Sequence, residues 1–209
     1  MKIFALDNDI LIKGAHYLLL LEIQAAISAR LRECGILGAA RFVVFKAVEK
    51  HELAGAHFAK HFPSFLVLEP NVIERTIAAE IELEAQNKGL SLDPGESLLC
   101  AIIETRKFTG LVSGDKRAIV AFEALATNSK MIAHLKNRVL CLEQIFSRIL
   151  ASANPSIVRD HVCSRPEVDK ALTISFRCAS KSGDSHEWRE GLRSYIENLR
   201  ADAPSILAS

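Results

Sequence analysis

Three acidic residues stand where a hydrophobic strand would hand over to a helix. They are Asp7 after Lys-Ile-Phe-Ala-Leu, Glu96 in Asp-Pro-Gly-Glu-Ser and Asp115 after Gly-Leu-Val-Ser-Gly. In an open α/β sheet the ligand crevice lies at the carboxyl ends of the strands, so acids at successive junctions converge although they are far apart in sequence. Carboxylates gathered in one cleft repel each other and stay ionised together only beside a neutralising cation. The chemistry this pattern points to is a metal site.

Each acid also has a plainer reading, because Asp is among the favoured residues at helix N-caps. Asp7 would cap the first helix and Asp115 the helix that starts at Lys116. Asp93, Pro94, Gly95 and Glu96 have the order of a capping box, with Glu96 at its third helical position.

The elements that must position these residues are read from periodicity. Ile3 to Leu6 reads as a short buried strand, and Ile10 to Leu31, ending near Gly35, as one long and mostly buried helix. Phe42 to His61 has helical spacing, and Phe65 to Leu68 forms a short apolar run. Asn71 and Glu74 have capping-box spacing and open an acidic helix that runs to about Lys88 and stops at Gly89. Pro94 begins the next helix, Gly110 to Ser113 reads as a strand, Lys116 to Leu125 as a helix, Val139 to Leu142 as a strand and Glu143 to Leu150 as a helix. Strands alternating with helices predict an α/β fold with a central parallel sheet between helical layers.

After Leu150 the pattern weakens. Ala-Ser-Ala-Asn-Pro and Cys-Ser-Arg-Pro carry breakers with little periodicity, which predicts a linker or meander. Asp184 and Glu187 then have capping-box spacing ahead of Trp188, Leu192, Tyr195, Ile196 and Leu199 at helical intervals. The division expected is a domain over 1–150 and a helical C-terminal extension over 151–209.

The 209 residues are 49% hydrophobic and 24% charged, the balance of a chain that folds on its own core. A net charge of +1 excludes binding of nucleic acid by bulk basicity, so any such contact must be local. The five cysteines, Cys34, Cys100, Cys141, Cys163 and Cys178, lack Cys-x-x-Cys spacing, from which reduced thiols filling the core and a cytoplasmic setting are expected. The opening segment, with Asp7 and Asp9, is a poor signal peptide, and the run Leu18 to Leu21 is too short to span a membrane.

Read in order, the motifs resemble the PIN domain family, best known from VapC-type toxins of toxin–antitoxin pairs. Phe-Ala-Leu-Asp7-Asn-Asp-Ile-Leu-Ile is similar to that family's opening strand and first acid, and Val44-Phe-Lys-Ala-Val-Glu49 to the segment carrying the second. Gly95-Glu96-Ser-Leu-Leu-Cys-Ala-Ile-Ile resembles the helix with the third acid, and Leu-Val-Ser113-Gly-Asp115-Lys-Arg-Ala the strand end with the fourth. The resemblance covers about residues 1 to 150 and implies a PIN-like three-layer fold and metal-dependent cleavage of RNA. It implies Asp7, Glu96 and Asp115 as ligands of Mg²⁺ or Mn²⁺, with Glu49 a fourth catalytic acid and Glu52 its rival. Asp9 is implied as orienting a ligand or binding metal through water, Ser113 as binding water or phosphate, and Lys116 and Arg117 as phosphate contacts, with Arg41 and Lys13 bordering the groove. An antitoxin protein and a homodimer are the partners the family implies. The chain departs from VapC-type toxins in carrying Glu at the third acid and in its tail.

Other readings remain open. Asp7-Asn-Asp9 also resembles the nucleophile motif of haloacid-dehalogenase-type phosphatases, with Asp7 attacking phosphorus and Asp9 as general acid. A non-catalytic PIN-like module that binds RNA or protein is the third reading, and DNA remains an alternative substrate. His57 and His61 have i, i+4 metal spacing, but no His-Glu-x-x-His is present, and exposed helix histidines are expected there.

Overall fold

The computed structural model describes residues 2–28, 33–128, 132–180 and 183–209, with Asn128 described for its backbone alone. Five short strands form one parallel sheet: β1 (Phe4–Leu6), β2 (Cys34–Leu37), β3 (Leu66–Leu68), β4 (Gly110–Ser113) and β5 (Val139–Cys141). Their order is β3-β2-β1-β4-β5, with Leu6 opposite Val112 where β1 meets β4. The chain builds outward from β1 to β3, then crosses back to place β4 and β5 on the other side. The reversal lies between β1 and β4, where open α/β sheets form their ligand crevice.

Successive side chains of a strand point to opposite faces, and the core divides accordingly. Leu6, Ile36, Val112 and Leu140 enter a cluster on one face, with the helices α1 (Asn8–His16), α2 (Leu20–Ile27), α3 (Ala40–Val48), α4 (Glu52–His61) and α8 (Leu142–Ser152). Ala5, Leu111, Val139 and Cys141 enter the other, with α5 (Val72–Asn87), α6 (Pro94–Arg106) and α7 (Lys116–Asn128). The fold is thus α/β with helices on both faces of a parallel sheet, as expected.

Two expectations about the N-terminal half are corrected. The helix anticipated over Ile10 to Leu31 is broken, with Leu18 in the left-handed region at φ 56° and α2 folding back beside α1. Gly14 permits this, since a Cβ there would lie 2.7 Å from Ile23 Cδ1 and 2.8 Å from Leu20 Cδ2. The last part of that predicted helix, 29–31, lies outside the described residues, and Gly35 belongs to β2 rather than to a helix end. The helical stretch Phe42 to His61 is likewise two helices, α3 and α4, separated at Glu49 to His51.

The tail is more ordered than its breakers predict. Asn154 caps α9 (Pro155–Cys163), Asp169 caps α10 (Lys170–Ser175), and Asp184 with Glu187 forms the expected capping box of α11 (Ser185–Asp202). Trp188 and Leu192 of α11 join the first cluster, and Leu199 joins the second, so this helix passes from one face of the sheet to the other. Leu207 then bridges Val139 along the outer edge of β5. Cys163 and Cys178 form a disulfide, against the expectation of five reduced thiols, whereas Cys34, Cys100 and Cys141 are free and buried. No described helix is long and apolar enough to cross a membrane.

Candidate functional site

Asp7 leaves the end of β1 with its backbone N–H donating to Val112 O of β4 (3.0 Å), which fixes it at the reversal of the strand order. It occupies the N-cap position of α1, yet its side chain makes no capping hydrogen bond. Instead Asp7 Oδ2 accepts from Ser113 Oγ at 3.3 Å, 106 residues away. With 5% of its surface exposed, it is a buried carboxylate that the capping reading does not explain. Burial, reinforced by the charges of Asp9 and Asp93, pushes its pKa up to about 7.

Glu96 stands on the first turn of α6 and is 4% exposed. Here the capping box is realised: Glu96 Oε2 accepts from Asp93 N (2.9 Å) and Asp93 Oδ1 accepts from Glu96 N (2.8 Å). The box does not neutralise the carboxyl. Burial pushes it up to about 8, with Asp93, Asp7 and Asp115 adding repulsion against the backbone hydrogen bond. No ion pair to Asp7 or Glu96 is present among the described residues.

Asp115 follows β4 and behaves differently. Its Oδ1 accepts from the backbone N–H of Arg117 (2.8 Å), as a cap would, and its Oδ2 from Arg117 Nη2 (2.8 Å). Ser113 Oγ accepts from Asp115 N at 3.2 Å, so one hydroxyl braces both Asp7 and Asp115. Burial works upward on the Asp115 carboxyl, but the Arg117 hydrogen bonds and charge outweigh it and hold the group below the usual range.

Asp9, in the first turn of α1, is tied by Lys13, whose Nζ lies 2.6 Å from Asp9 Oδ2 and 2.8 Å from Asp169 Oδ2. Lys13 is therefore enclosed between two acids and is not a free cation at the groove edge. Gly114 makes room for this pair, since a Cβ there would collide with Asp9 Oδ2. Lys116, expected as a phosphate contact, has its Nζ 2.5 Å from Glu143 Oε1 and 4.7 Å above the Tyr195 ring. Arg117 is an accessible cation of the site, with 77% of its side chain exposed, and the exposed Lys170 lines the same groove beside Asp115.

The remaining expected acids lie elsewhere. Glu49 is exposed at the C-cap of α3 and Glu52 is exposed at the start of α4, and neither is among the charges acting on Asp7 or Glu96. Arg41 stacks over Phe42 at 4.9 Å on α3. His57 and His61 are not exposed helix histidines. His61 is buried, and His57 Nε2 accepts from the free N–H of Leu20 at the start of α2 (3.3 Å), with burial pushing its pKa down to about 4. They are packing and capping groups.

Three acids near the site were missed as such: Asp93, Glu143 and Asp169. Asp93 was visible as a cap. Glu143 has the same offset after β5 as Asp115 after β4, a signal that the strand-end rule contained. Asp169 had none, because its contact with Lys13 spans 156 residues and depends on how the tail folds back.

The donor types suit a hard divalent cation, which prefers carboxylate oxygens. Asp7 and Glu96 carry repulsion that such a charge would relieve, and this unneutralised burial is the observation that fits the group. Among the described residues no three Asp, Glu, His or Cys side chains already form a cage, because Asp115 is engaged by Arg117 and Glu96 by Asp93 N. The chain matches no family model, no curated protein and no solved structure.

Proposed function

We propose that this protein is a metal-dependent endoribonuclease of PIN-like fold, acting through Asp7, Glu96 and Asp115. The observation that carries the reading is a pair of buried carboxyls, Asp7 and Glu96, that pair with no cation among the described residues, with Asp7 at the reversal of the strand order. The order of the motifs along the chain supports it as well. Toxin activity, an antitoxin partner and dimerisation belong to the same resemblance.

In this reading Asp7, Glu96 and Asp115 hold Mg²⁺ or Mn²⁺. When bound, the ion supplies neutralising charge to the scissile phosphate and lowers the pKa of a water nucleophile. The chain's own residues set the geometry. Ser113 Oγ–H orients Asp7 through Oδ2, Arg117 restrains Asp115, and Lys13 keeps Asp9 turned toward Asp169. Arg117 is available to a phosphate oxygen, since a guanidinium has five N–H donors and Asp115 engages only part of them. Glu49 has no role in this arrangement.

The test is cleavage of a mixed structured RNA pool by the purified protein with Mn²⁺, Mg²⁺ or EDTA, beside Asp7→Asn and Asp115→Asn. Cleavage that requires metal and disappears in both variants is expected. Aryl-phosphate hydrolysis without RNA cleavage would replace this reading with the phosphatase one, and inactivity in both assays would favour a binding module.

A further inference from the structure

Two grooves open beside Asp115 and share a wall. The first, about 380 Å³, runs over Gly114, Asp115 and Asp169 to Arg117 and Tyr195. The second, about 540 Å³, lies between α7 and α11 and continues from Lys116, Arg117 and Tyr195 to the apolar side chains of Leu90, Val120 and Leu199. Asn198 and Asp202 add an amide and a carboxylate to its rim. A concave, mainly apolar space with a few polar groups is the general character of a site for a small flat ligand.

We propose that the groove between α7 and α11 is a nucleobase subsite, holding one base of a single-stranded nucleic acid whose adjoining phosphate lies at Arg117. The identity of this occupant rests on the nuclease reading; the groove itself does not. Three features select a base over an apolar peptide. The shared wall carries the exposed Arg117 guanidinium, complementary to the phosphate linked to such a base. Tyr195 offers an aromatic surface of the kind on which unpaired bases stack, and it is braced by Lys116, which Glu143 holds in turn. Asn198 presents both a donor and an acceptor to a base edge, which an apolar side chain would leave unused.

The net charge of +1 makes this subsite consequential. A chain without a broad basic face gains little from backbone charge alone, so base stacking must contribute to holding the strand. Binding that is tolerant of sequence and sensitive to loss of a base follows from such a contact.

The experiment is fluorescence anisotropy of a labelled ten-nucleotide single-stranded RNA, and of the same strand carrying an abasic site at each internal position in turn, in EDTA so that no strand is cut. The full chain is compared with Glu49→Gln, Tyr195→Leu, Asn198→Ala and Val120→Trp, each checked for folding by circular dichroism. One abasic position should weaken binding about tenfold, and Tyr195→Leu and the groove-filling Val120→Trp should remove that difference. Exposed Asn198→Ala should reduce it several-fold and keeps the test valid where a bulkier change unfolds the chain. Glu49→Gln, an exposed residue with no role in the site, should bind as the natural chain does. Equal binding of intact and abasic strands, or no binding at all, overturns the subsite even where metal-dependent cleavage is present. Base-dependent binding without cleavage upholds the subsite and removes the nuclease reading. A change in molecular mass with Val120→Trp, with base dependence unaltered, would assign the groove to a second copy of the chain instead.

Discussion

On the β4–β5 side of the sheet each acid near the cleft has acquired a cation of its own: Asp115 has Arg117, and Glu143 has Lys116. Asp9, on α1, shares Lys13 with Asp169 from the tail. Asp7 and Glu96, more deeply buried than Asp9 and Asp115, have only hydrogen bonds among the described residues. The fold can therefore supply a counter-ion where it needs one, and at these two residues it does not. An acid whose charge is left uncompensated in a cleft is a candidate for chemistry, whereas Asp9, Glu143 and Asp169, whose cations are enclosed with them, are better explained as scaffold; Asp115 stands between the two, since its partner Arg117 is largely exposed.

The most severe way to break this contrast is to remove an unpaired carboxylate. Asp7→Asn should lower metal-dependent cleavage on the order of a thousandfold, measured as single-turnover rate. The same substitution should stabilise the metal-free protein at pH 8. In the fold, Asp7 and Glu96 have pKa values of about 7 and 8, above their ordinary 3.8 and 4.5. Between roughly pH 4 and pH 8 the folded chain thus retains protons that the unfolded chain has released, so stability falls as pH rises through that window. Above about pH 6.5, where His16, His57 and His61, held below their ordinary 6.5 by burial, no longer oppose the trend, urea midpoints of the natural chain should decline toward pH 8, Mn²⁺ should restore them, and Asp7→Asn should flatten the slope. A midpoint that rises over that range in the absence of metal would remove the distinction between the two sets of acids.

The paired set responds in the opposite sense. Lys13→Met leaves Asp9 and Asp169 facing each other without their shared cation, and should cost about 3 kcal/mol near neutral pH, read from urea midpoints. The loss should shrink toward acid pH as Asp9, whose carboxyl burial holds above its usual range, takes up a proton. Arg117→Ala sharpens the comparison by moving one acid between classes. With its guanidinium gone, Asp115 becomes an uncompensated carboxylate, and titration calorimetry should find Mn²⁺ bound roughly threefold more tightly while RNA is held more weakly. Glu49→Gln is the smallest change, altering cleavage by less than about twofold because the residue is exposed and remote in its contacts.

Local chemistry made part of this legible in the sequence. Short apolar runs ended by Asp7 and Ser113 locate β1 and β4, and the capping spacings at Asn71, Asp93 and Asp184 all appear as hydrogen bonds. What escaped was set at long range. Periodicity continued through Leu18 because both α1 and α2 are buried, and nothing local announces that Gly14 allows one to fold onto the other. β2 was concealed because four buried residues are too few to distinguish a strand from the end of a helix. Cys163 and Cys178 are 15 residues apart, and their pairing depends on α10 turning back rather than on spacing. At the site itself, residue type identified the acids, but which of them would find a cation depended on Lys13, Lys116 and Arg117 reaching across elements.

The segment beside β5 also gives the sheet a polarity. Ala208 N donates to Val139 O at 2.8 Å, and Ala208 O accepts from Gln144 Nε2 and Arg200 Nη2, so the outer edge of β5 is partly covered. At the other margin β3, among the described residues, pairs only with β2. Accretion of a foreign strand is consequently directional: it is favoured at Leu66–Leu68 and obstructed at Val139–Cys141. Losing the cover over β5 would convert a sheet with one adhesive border into one with two, able to extend in both directions as a polymer.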